Sequence, residues 1–249
     1  MDAPAPAPTA TPVAIPAIVD RESWLRERNE LLVREKAHTR EGDAIAAARR
    51  RLPMVEVPDV EVVGADGPVR FSSLFGEHDE LVVYRHMWQD GQPFEGQCEG
   101  CTMSVWDFRN SIYLAERGVA FAVLSRGAWE ELEPFREFMG YEHPWYSTAG
   151  VDDVGVAGDM GGEIASYLRV GDKIYLTYET TDRGNEVLLV SLKLLDMTVY
   201  GRKEVWEDSP EGWPQGELCA FWRRDGRPTA QWTRPGVGAV AEGDHEHHH

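Results

Sequence analysis

The sequence predicts one α/β domain with a parallel βαβ core, and three observations support this. Two short continuous apolar runs, residues 81–84 and 119–124, are typical of buried central strands. A segment of helical periodicity follows each run, and Gly118 and Gly140 stand where those helices should end. The chain has 249 residues, 42% of them hydrophobic, which is enough to bury a core of its own.

The N-terminal part is predicted to lie outside that core. Residues 1–18 are mostly Pro, Ala and Thr, so we expect a disordered arm. Residues 19–52 carry many charges of both signs and predict a helical arm that Asp20 caps at its start. We expect Gly42 to divide this arm into two helices. The arm is also a candidate contact for a homodimer.

Residues 53–234 contain the remaining strand and helix patterns and are predicted to form the folded domain. Residues 235–249 are rich in small residues, end in histidines, and are predicted to form a flexible tail. Within the domain the patterns predict, in chain order, an edge strand at 54–63, a hairpin turn at Asp66–Gly67, a helix after residue 101, a helix at 129–139, strands at 164–170 and 173–180 joined at Gly171–Asp172, and a last helix at 185–195.

Charge and cysteine content narrow the class of protein. The chain has 43 Asp and Glu against 25 Lys and Arg, a formal net charge of −18, so we expect neither nucleic acid nor an anionic membrane as a partner. The sequence has no apolar run of about 18 residues, which a membrane-spanning helix would need. Three cysteines do not suggest a secreted disulfide framework, and the N-terminus does not resemble a signal peptide. We therefore expect a cytoplasmic protein.

Two of the cysteines form a Cys-x-x-Cys motif, Cys98 and Cys101, between a predicted buried strand and the start of a predicted helix. Free N–H groups at a helix start stabilise a thiolate, and the second cysteine can release a mixed disulfide from the first. Near a βαβ pattern the motif predicts a thioredoxin-like fold, with a central mixed sheet flanked by helices. Cys98 is then the nucleophile and Cys101 the resolving thiol. The substrate is a small-molecule or protein thiol or disulfide, and no cofactor is required.

Glu99, between the two cysteines, opposes this chemistry. A carboxylate beside a thiol raises the pKa of the thiol, because it repels the thiolate. The negative charge of the whole chain acts in the same direction.

A metal site is the main alternative. Cys98, Cys101 and His86, which lies just past the predicted strand, would suit copper, because sulfur ligands favour Cu(I). Zinc normally takes four ligands, and His143 and Cys219 are the remaining candidates. Under this interpretation the protein is a copper or zinc carrier or a metalloenzyme on the same fold.

A second alternative is a non-catalytic binding module, in which the cysteines have no chemical role. Trp88, Trp145 and Tyr146 are then candidates to line a pocket near them. The glycines between residues 155 and 162 do not have the spacing of a dinucleotide-binding motif and predict a flexible loop.

From about residue 22 to residue 215, the sequence resembles a bacterial thioredoxin-like family of unknown function that is related to the peroxiredoxin and thioredoxin folds. The resemblance implies a thioredoxin-like fold and leaves the function open. It is carried, in chain order, by residues 30–36, 39–40, 49–55, 83–87, 98–101, 119–123, 140–141, 144–145, 194–198 and 210–214.

The sequence departs from two better-known groups of that fold. Thioredoxins have a cis-proline at the start of the strand facing the Cys-x-x-Cys, whereas the corresponding strand here begins Gly162–Glu163–Ile164. Peroxiredoxins carry Pro and Thr just before the nucleophilic cysteine, where this chain has Glu95–Gly96–Gln97. Both departures weigh against simple transfer of either activity.

Overall fold

The computed structural model describes residues 14–240, so the predictions for residues 1–13 and 241–249 lie outside the described part. Its helices are α1 (Arg21–Arg49), α2 (Glu99–Asp107), α3 (Ile112–Ala115), α4 (Trp129–Met139), α5 (Val154–Ala157) and α6 (Val190–Leu195). Its strands are β1 (Val55–Val57), β2 (Glu61–Gly64), β3 (Gly67–Arg70), β4 (Glu80–His86), β5 (Val119–Ser125), β6 (Trp145–Ser147), β7 (Glu163–Val170), β8 (Lys173–Thr181), β9 (Arg223–Arg224) and β10 (Arg227–Pro228).

Eight strands form one mixed sheet in the order β1-β8-β7-β4-β5-β6-β2-β3. At its centre β4 is parallel to β5 and antiparallel to β7, which pairs with β8 in a hairpin. Together with α2, α5 and α6, these four strands make a β-α-β-α-β-β-α unit, which is the thioredoxin-like arrangement. The predicted fold class is therefore confirmed, including the mixed sheet flanked by helices and the helical arm that precedes it.

The arm is a single helix, so the predicted break at Gly42 is wrong. Asp20 caps α1 as predicted, since its Oδ1 accepts a hydrogen bond from the Ser23 N–H at 2.8 Å. A glycine inside an exposed helix costs only about 1 kcal/mol, which the helix-forming residues around it offset. The structure describes the whole of α1, and none of its residues is buried. The homodimer contact through this arm stays a prediction.

The Val-rich segment 54–63 is two strands in distant parts of the sheet, which corrects the single predicted edge strand. Pro58 and Asp59 separate them, and proline lacks the N–H that a continuous strand needs. β1 pairs with β8 at one edge, whereas β2 pairs with β3 and β6 near the other. The hairpin predicted at Asp66–Gly67 is confirmed, although its loop is Ala65–Asp66 and Gly67, at a φ of +93°, is the first residue of β3.

The helix after the motif is also divided. One helix from after residue 101 to Gly118 was expected, but α2 ends at Asp107 and a short α3 begins at Ile112. The Asp107 carboxylate accepts hydrogen bonds from the backbone and side chain of Ser191, at 2.8 and 2.9 Å, which ties the end of α2 to the start of α6. Similarly, the predicted helix 185–195 is a 3-10 helix, Asp182–Val187, followed by α6.

Other predicted elements are confirmed. The helix α4 spans Trp129–Met139 and ends at Gly140, which has a φ of +64° and donates its N–H to the carbonyls of Arg136 and Glu137. The hairpin between β7 and β8 turns at Gly171–Asp172. Among the described residues, no helix is both long and apolar enough to cross a membrane.

The sheet separates two hydrophobic clusters. One contains Phe71, Phe75 and Leu124, and the other contains Tyr84, Phe135 and Trp145. Consecutive residues of β4 point alternately into the two clusters. Cys101 belongs to the cluster that α2 and α4 cover, so the Cys-x-x-Cys motif lies on that face.

Candidate functional site

The Cys-x-x-Cys motif lies where β4, the loop after it and α2 meet. Gln97, which is fully buried, holds the loop in place. Its Oε1 accepts from the Gln89 N–H, and its Nε2 donates to the carbonyls of Gln89 and Gln92, at 3.0 to 3.2 Å. The loop therefore delivers Cys98 to the start of α2 in a defined position.

Cys98 is the N-cap residue of α2. Its Sγ accepts a hydrogen bond from the Cys101 backbone N–H at 3.4 Å, as a capping side chain does, and the residue is half-buried. A hydrogen bond from the Cys101 thiol is the main cause that lowers the pKa of Cys98, to about 7. Burial and the Glu99 carboxylate raise this pKa, and the backbone N–H groups of Cys101 and Gly100 lower it.

Cys101 has the opposite properties. It is only 2% exposed, and its Sγ accepts from the Met87 backbone N–H at 3.4 Å. Its hydrogen bond to Cys98 raises the pKa of the Cys101 thiol well above its ordinary value, and burial adds to the effect. The Tyr84 hydroxyl and the Met87 N–H act to lower it. The hydrogen bond between the two sulfurs therefore favours ionisation of Cys98 before Cys101. Both cysteines are free in the structure.

The glycines that follow α5 lie against the motif. Gly162 donates its N–H to the Arg85 carbonyl at 2.7 Å, and a Cβ added to it would lie 3.9 Å from the Cys101 Sγ. A Cβ on Gly161 would come within 2.7 Å of the Met87 Cα. The segment predicted as a flexible loop thus ends in two closely packed residues, next to the position where thioredoxins have their proline.

The C-terminal segment, residues 219–234, also contacts the motif, although no sequence pattern indicated this contact. The Trp222 ring packs on Gly100, where an added Cβ would lie 2.9 Å from its Cζ3. The Arg223 Nε lies 3.0 Å from the Glu99 Oε2. Gln231, fully buried, donates to the Phe94 carbonyl at 2.6 Å. The two residues of each of these three contacts lie more than 100 positions apart in the chain, so no local sequence pattern indicates the contacts.

The metal-ligand candidates are not brought together. Among residues 14–240, no group of three or more His, Cys, Asp and Glu side chains is placed to hold a metal ion. His143 packs flat on Phe108 and contacts its carbonyl through Nε2 at 2.6 Å. Cys219 lies in the C-terminal segment, where burial and nearby carboxylates raise its pKa. The set of Cys98, Cys101 and His86 thus does not form a ligand cluster.

His86 lies instead in an aromatic cage. Its ring is 5.0 Å from that of Trp145 and 5.8 Å from that of Phe135, measured between centroids. Neither ring nitrogen has a hydrogen-bond partner among the described residues, and burial lowers the pKa of His86 to about 4. The imidazole is therefore neutral at physiological pH.

The predicted aromatic pocket residues lie in the two hydrophobic clusters. Trp88 and Trp145 pack on the cysteine side of the sheet, with Trp88 Nε1 donating to the Glu131 Oε2 at 2.7 Å. Tyr146 packs against the cluster on the opposite side. Trp145 is 2% exposed, so it is a core residue.

Solved structures with some similarity to this chain include three peroxiredoxin-type proteins. Peroxidoxin BcpB from Mycobacterium tuberculosis is 18% identical (TM-score 0.41), over 57% of this chain and 97% of that chain. The bacterioferritin comigratory protein of Xanthomonas campestris is 16% identical (TM-score 0.36), over 57% and 96%. A yeast mitochondrial 1-Cys peroxiredoxin is 17% identical (TM-score 0.35), over 64% and 84%. Identities and TM-scores this low do not transfer an activity to this chain.

No curated protein sequence matches the chain. A family model described as "bacterial protein of unknown function (DUF899)" matches residues 13–227, which include both cysteines of the motif, Arg223 and the whole β-α-β-α-β-β-α unit. The chain therefore belongs to the DUF899 family of bacterial proteins.

Proposed function

We propose that the protein is a thiol–disulfide oxidoreductase that uses Cys98 as nucleophile and Cys101 as resolving thiol. The observation that carries the proposal is the asymmetry of the pair. Cys98 is half-buried at the N-cap of α2, where N–H groups favour a thiolate, and Cys101 is buried beneath it as the thiol. A partly exposed thiolate followed by a buried thiol is the order that two-step disulfide exchange requires.

In the first step the Cys98 thiolate attacks one sulfur of a substrate disulfide. A bond forms between that sulfur and the Cys98 Sγ, the substrate S–S bond breaks, and one thiolate leaves. In the second step Cys101 loses its proton to solvent and attacks the Cys98 Sγ, which releases the second substrate thiolate. The substrate disulfide is reduced to two thiols, and the cysteine pair is oxidised by the same two electrons to a disulfide.

The environment of Cys101 changes between these two steps. The two interactions with Cys98 that raise the pKa of Cys101 are a hydrogen bond and the repulsion of its thiolate. Both require an ionised Cys98, so both end once Cys98 is bound in the mixed disulfide. The Tyr84 hydroxyl and the Met87 N–H then remain to stabilise the Cys101 thiolate. The resolving thiol is thus activated by the first step.

A single oxidation of the reduced cysteine pair by glutathione disulfide tests the proposed function. Reduced protein carrying Cys219→Ser is mixed with glutathione disulfide, quenched in acid, and examined by intact mass and peptide mapping. We expect an intramolecular Cys98–Cys101 disulfide and two molecules of glutathione released per chain. A chain that accumulates only stable glutathione adducts, with the two cysteines never joined, would contradict the proposal.

A further inference from the structure

The Glu99 carboxylate makes ionisation of the Cys98 thiol less favourable. Glu99 is the next residue along the chain, in the first turn of α2, and its carboxylate acts against the thiolate. A redox pair with an uncompensated negative charge at this position would be a weaker nucleophile at neutral pH. Some other group has to offset that charge.

Arg223 is placed to do so. Its Nε donates to the Glu99 Oε2 at 3.0 Å, and both side chains are about one-third exposed, which leaves the pair partly shielded from solvent. Arg223 belongs to β9, which reaches the motif only because the C-terminal segment folds back over the loop before α2.

The same guanidinium also holds the loop that precedes Cys98. Its Nη1 donates to the Glu95 carbonyl and its Nη2 to the Gln97 carbonyl, each at 2.7 Å. A further bond from Nη1 to the Gly226 carbonyl, at 3.2 Å, fixes the guanidinium within its own hairpin. A planar, multidentate donor such as arginine can join these groups in one geometry, which lysine cannot.

We propose that Arg223 is a positioning residue for the thiol site, which neutralises Glu99 and fixes the loop on which Cys98 stands. Arg223 acts through Glu99 and the two loop carbonyls, and does not itself touch the sulfur. This inference rests on the proposed function and adds to it a residue from the far end of the chain.

Other charged or titratable groups face the same site. The helix α2 contributes Cys101, β4 contributes Tyr84, and the 3-10 helix before the motif contributes Glu95. Glu95 lies 3.8 Å from the Arg227 Nη1 of β10. Cys219 lies close enough for Glu99 to act on its pKa. Arg223 is the cation that contacts the carboxylate beside Cys98, since Arg227 is directed to Glu95 and Gln231.

The test measures how fast Cys98 reacts with iodoacetamide across pH 5 to 9 in reduced protein that carries Cys219→Ser. Buried Cys101 contributes little, because its thiol has a raised pKa. In Arg223→Gln we expect the reaction at pH 7 to be about two- to five-fold slower and the midpoint of the profile to move to higher pH. Adding Glu99→Gln to this variant should restore most of the rate.

Arg224→Gln is the matched control. It removes the same charge from the neighbouring residue, whose side chain is exposed, lies 3.5 Å from the Asp225 carboxylate and packs over the Trp232 ring. We expect its profile to match that of the parent protein. If Arg223→Gln does not fold, Glu99→Gln alone serves as the test, and its midpoint should move to lower pH because Arg223 then stands unpaired.

The inference is overturned if Arg223→Gln folds and reacts as the parent does, if the control slows the reaction equally, or if Glu99→Gln fails to restore the rate. The last result would show that Arg223 does not act on Cys98 through Glu99, which the proposal requires. Alkylation reports the Cys98 thiolate whether or not the pair forms a disulfide. Failure of this inference is therefore distinguishable from failure of the proposed function, which the Cys98–Cys101 disulfide itself reports.

Discussion

Cys101 donates its backbone N–H to the Sγ of Cys98 at 3.4 Å, so the two cysteines are coupled through the first turn of α2. Cys98 caps the helix and is half-buried, whereas Cys101 lies one turn later within the core. The helix therefore gives two chemically identical side chains different acidities and different access to substrate, and the predictions below depend on this difference.

Replacing the resolving thiol should trap the first step. In Cys101→Ser we expect a mixed disulfide between Cys98 and glutathione to persist, because the buried sulfur that would displace it is missing. Cys98→Ser should form no adduct at the motif, since Cys101 is buried and out of reach of glutathione disulfide. Peptide mass mapping in a Cys219→Ser background distinguishes the two. Equal labelling of Cys98 and Cys101 in the respective single variants would argue against the assigned roles.

Gly161→Ala should destabilise the protein much more than Gly171→Ala. Both glycines have a positive φ, +86° and +64°, so alanine is strained at either position. Only Gly161 has a backbone neighbour in the way, because its added Cβ would lie 2.7 Å from the Met87 Cα, whereas nothing lies within 4 Å at Gly171. We expect a loss of about 1 kcal/mol at Gly171 and at least twice that at Gly161.

Urea unfolding measures both values, with Gly171→Ala as the matched control. Since Met87 donates its N–H to the Cys101 Sγ, Gly161→Ala should also alter the reactivity of the pair. Equal losses of stability at the two positions would mean that the close approach of Gly161 to Met87 does not constrain the fold.

His86 should make the protein less stable in mild acid. Its pKa is about 4 in the folded protein against an ordinary 6.5, so between these values the unfolded chain binds the proton and the folded chain does not. Stability therefore falls as pH decreases from 6.5 to 4, by at most about 1.4 kcal/mol per pH unit from this group. His86→Leu should show a shallower decline over that range in denaturant unfolding. The same slope in both proteins would show that His86 titrates normally.

Arg202 should contribute strongly to stability. It is 6% exposed and forms two bonds to Glu186, at 2.9 and 3.0 Å, and two to Asp196, at 2.7 and 2.9 Å. Arg202→Met removes all four of these bonds, and Glu186 keeps only its contacts with Arg183 and Lys193. We therefore expect a loss of about 1–3 kcal/mol of unfolding free energy. Exposed Arg224→Met is the control and should lose less than about 0.5 kcal/mol. A loss at Arg202 as small as at Arg224 would exclude the network as a stabilising feature.

The central unit of the fold could be predicted because its signals are local. Continuous apolar runs indicate β4 and β5, and Gly140 ends α4 where helical periodicity stops. The separation of β1 from β2 could not be predicted in this way. Val55 and Val62 look alike in sequence, but Pro58 lets the chain cross to the other part of the sheet, and partner choice is a long-range property.

The candidate site was predictable only in part, for the same reason. Cys98 and Cys101 are adjacent to a strand and a helix that the sequence indicates, and their spacing alone suggests thiol chemistry. Arg223 and Trp222 come from a segment with few regular elements, which packs on the motif through tertiary contacts. His86 is the opposite case, because the sequence indicated a role for it that the structure does not support. Its position just past the predicted strand suggested a ligand, whereas it is the last residue of β4, its side chain lies in an aromatic cage, and no ligand cluster exists in the described part of the chain.

A redox titration in glutathione buffers tests directly whether Cys98 and Cys101 form a reversible disulfide. Cys219→Ser protein is equilibrated over a range of reduced to oxidised glutathione, quenched in acid, and the Cys98–Cys101 disulfide is quantified by mass. We predict one reversible two-electron transition within the range of known thiol–disulfide oxidoreductases, about −120 to −270 mV. A pair that stays reduced throughout this range, or that oxidises irreversibly, would contradict the account.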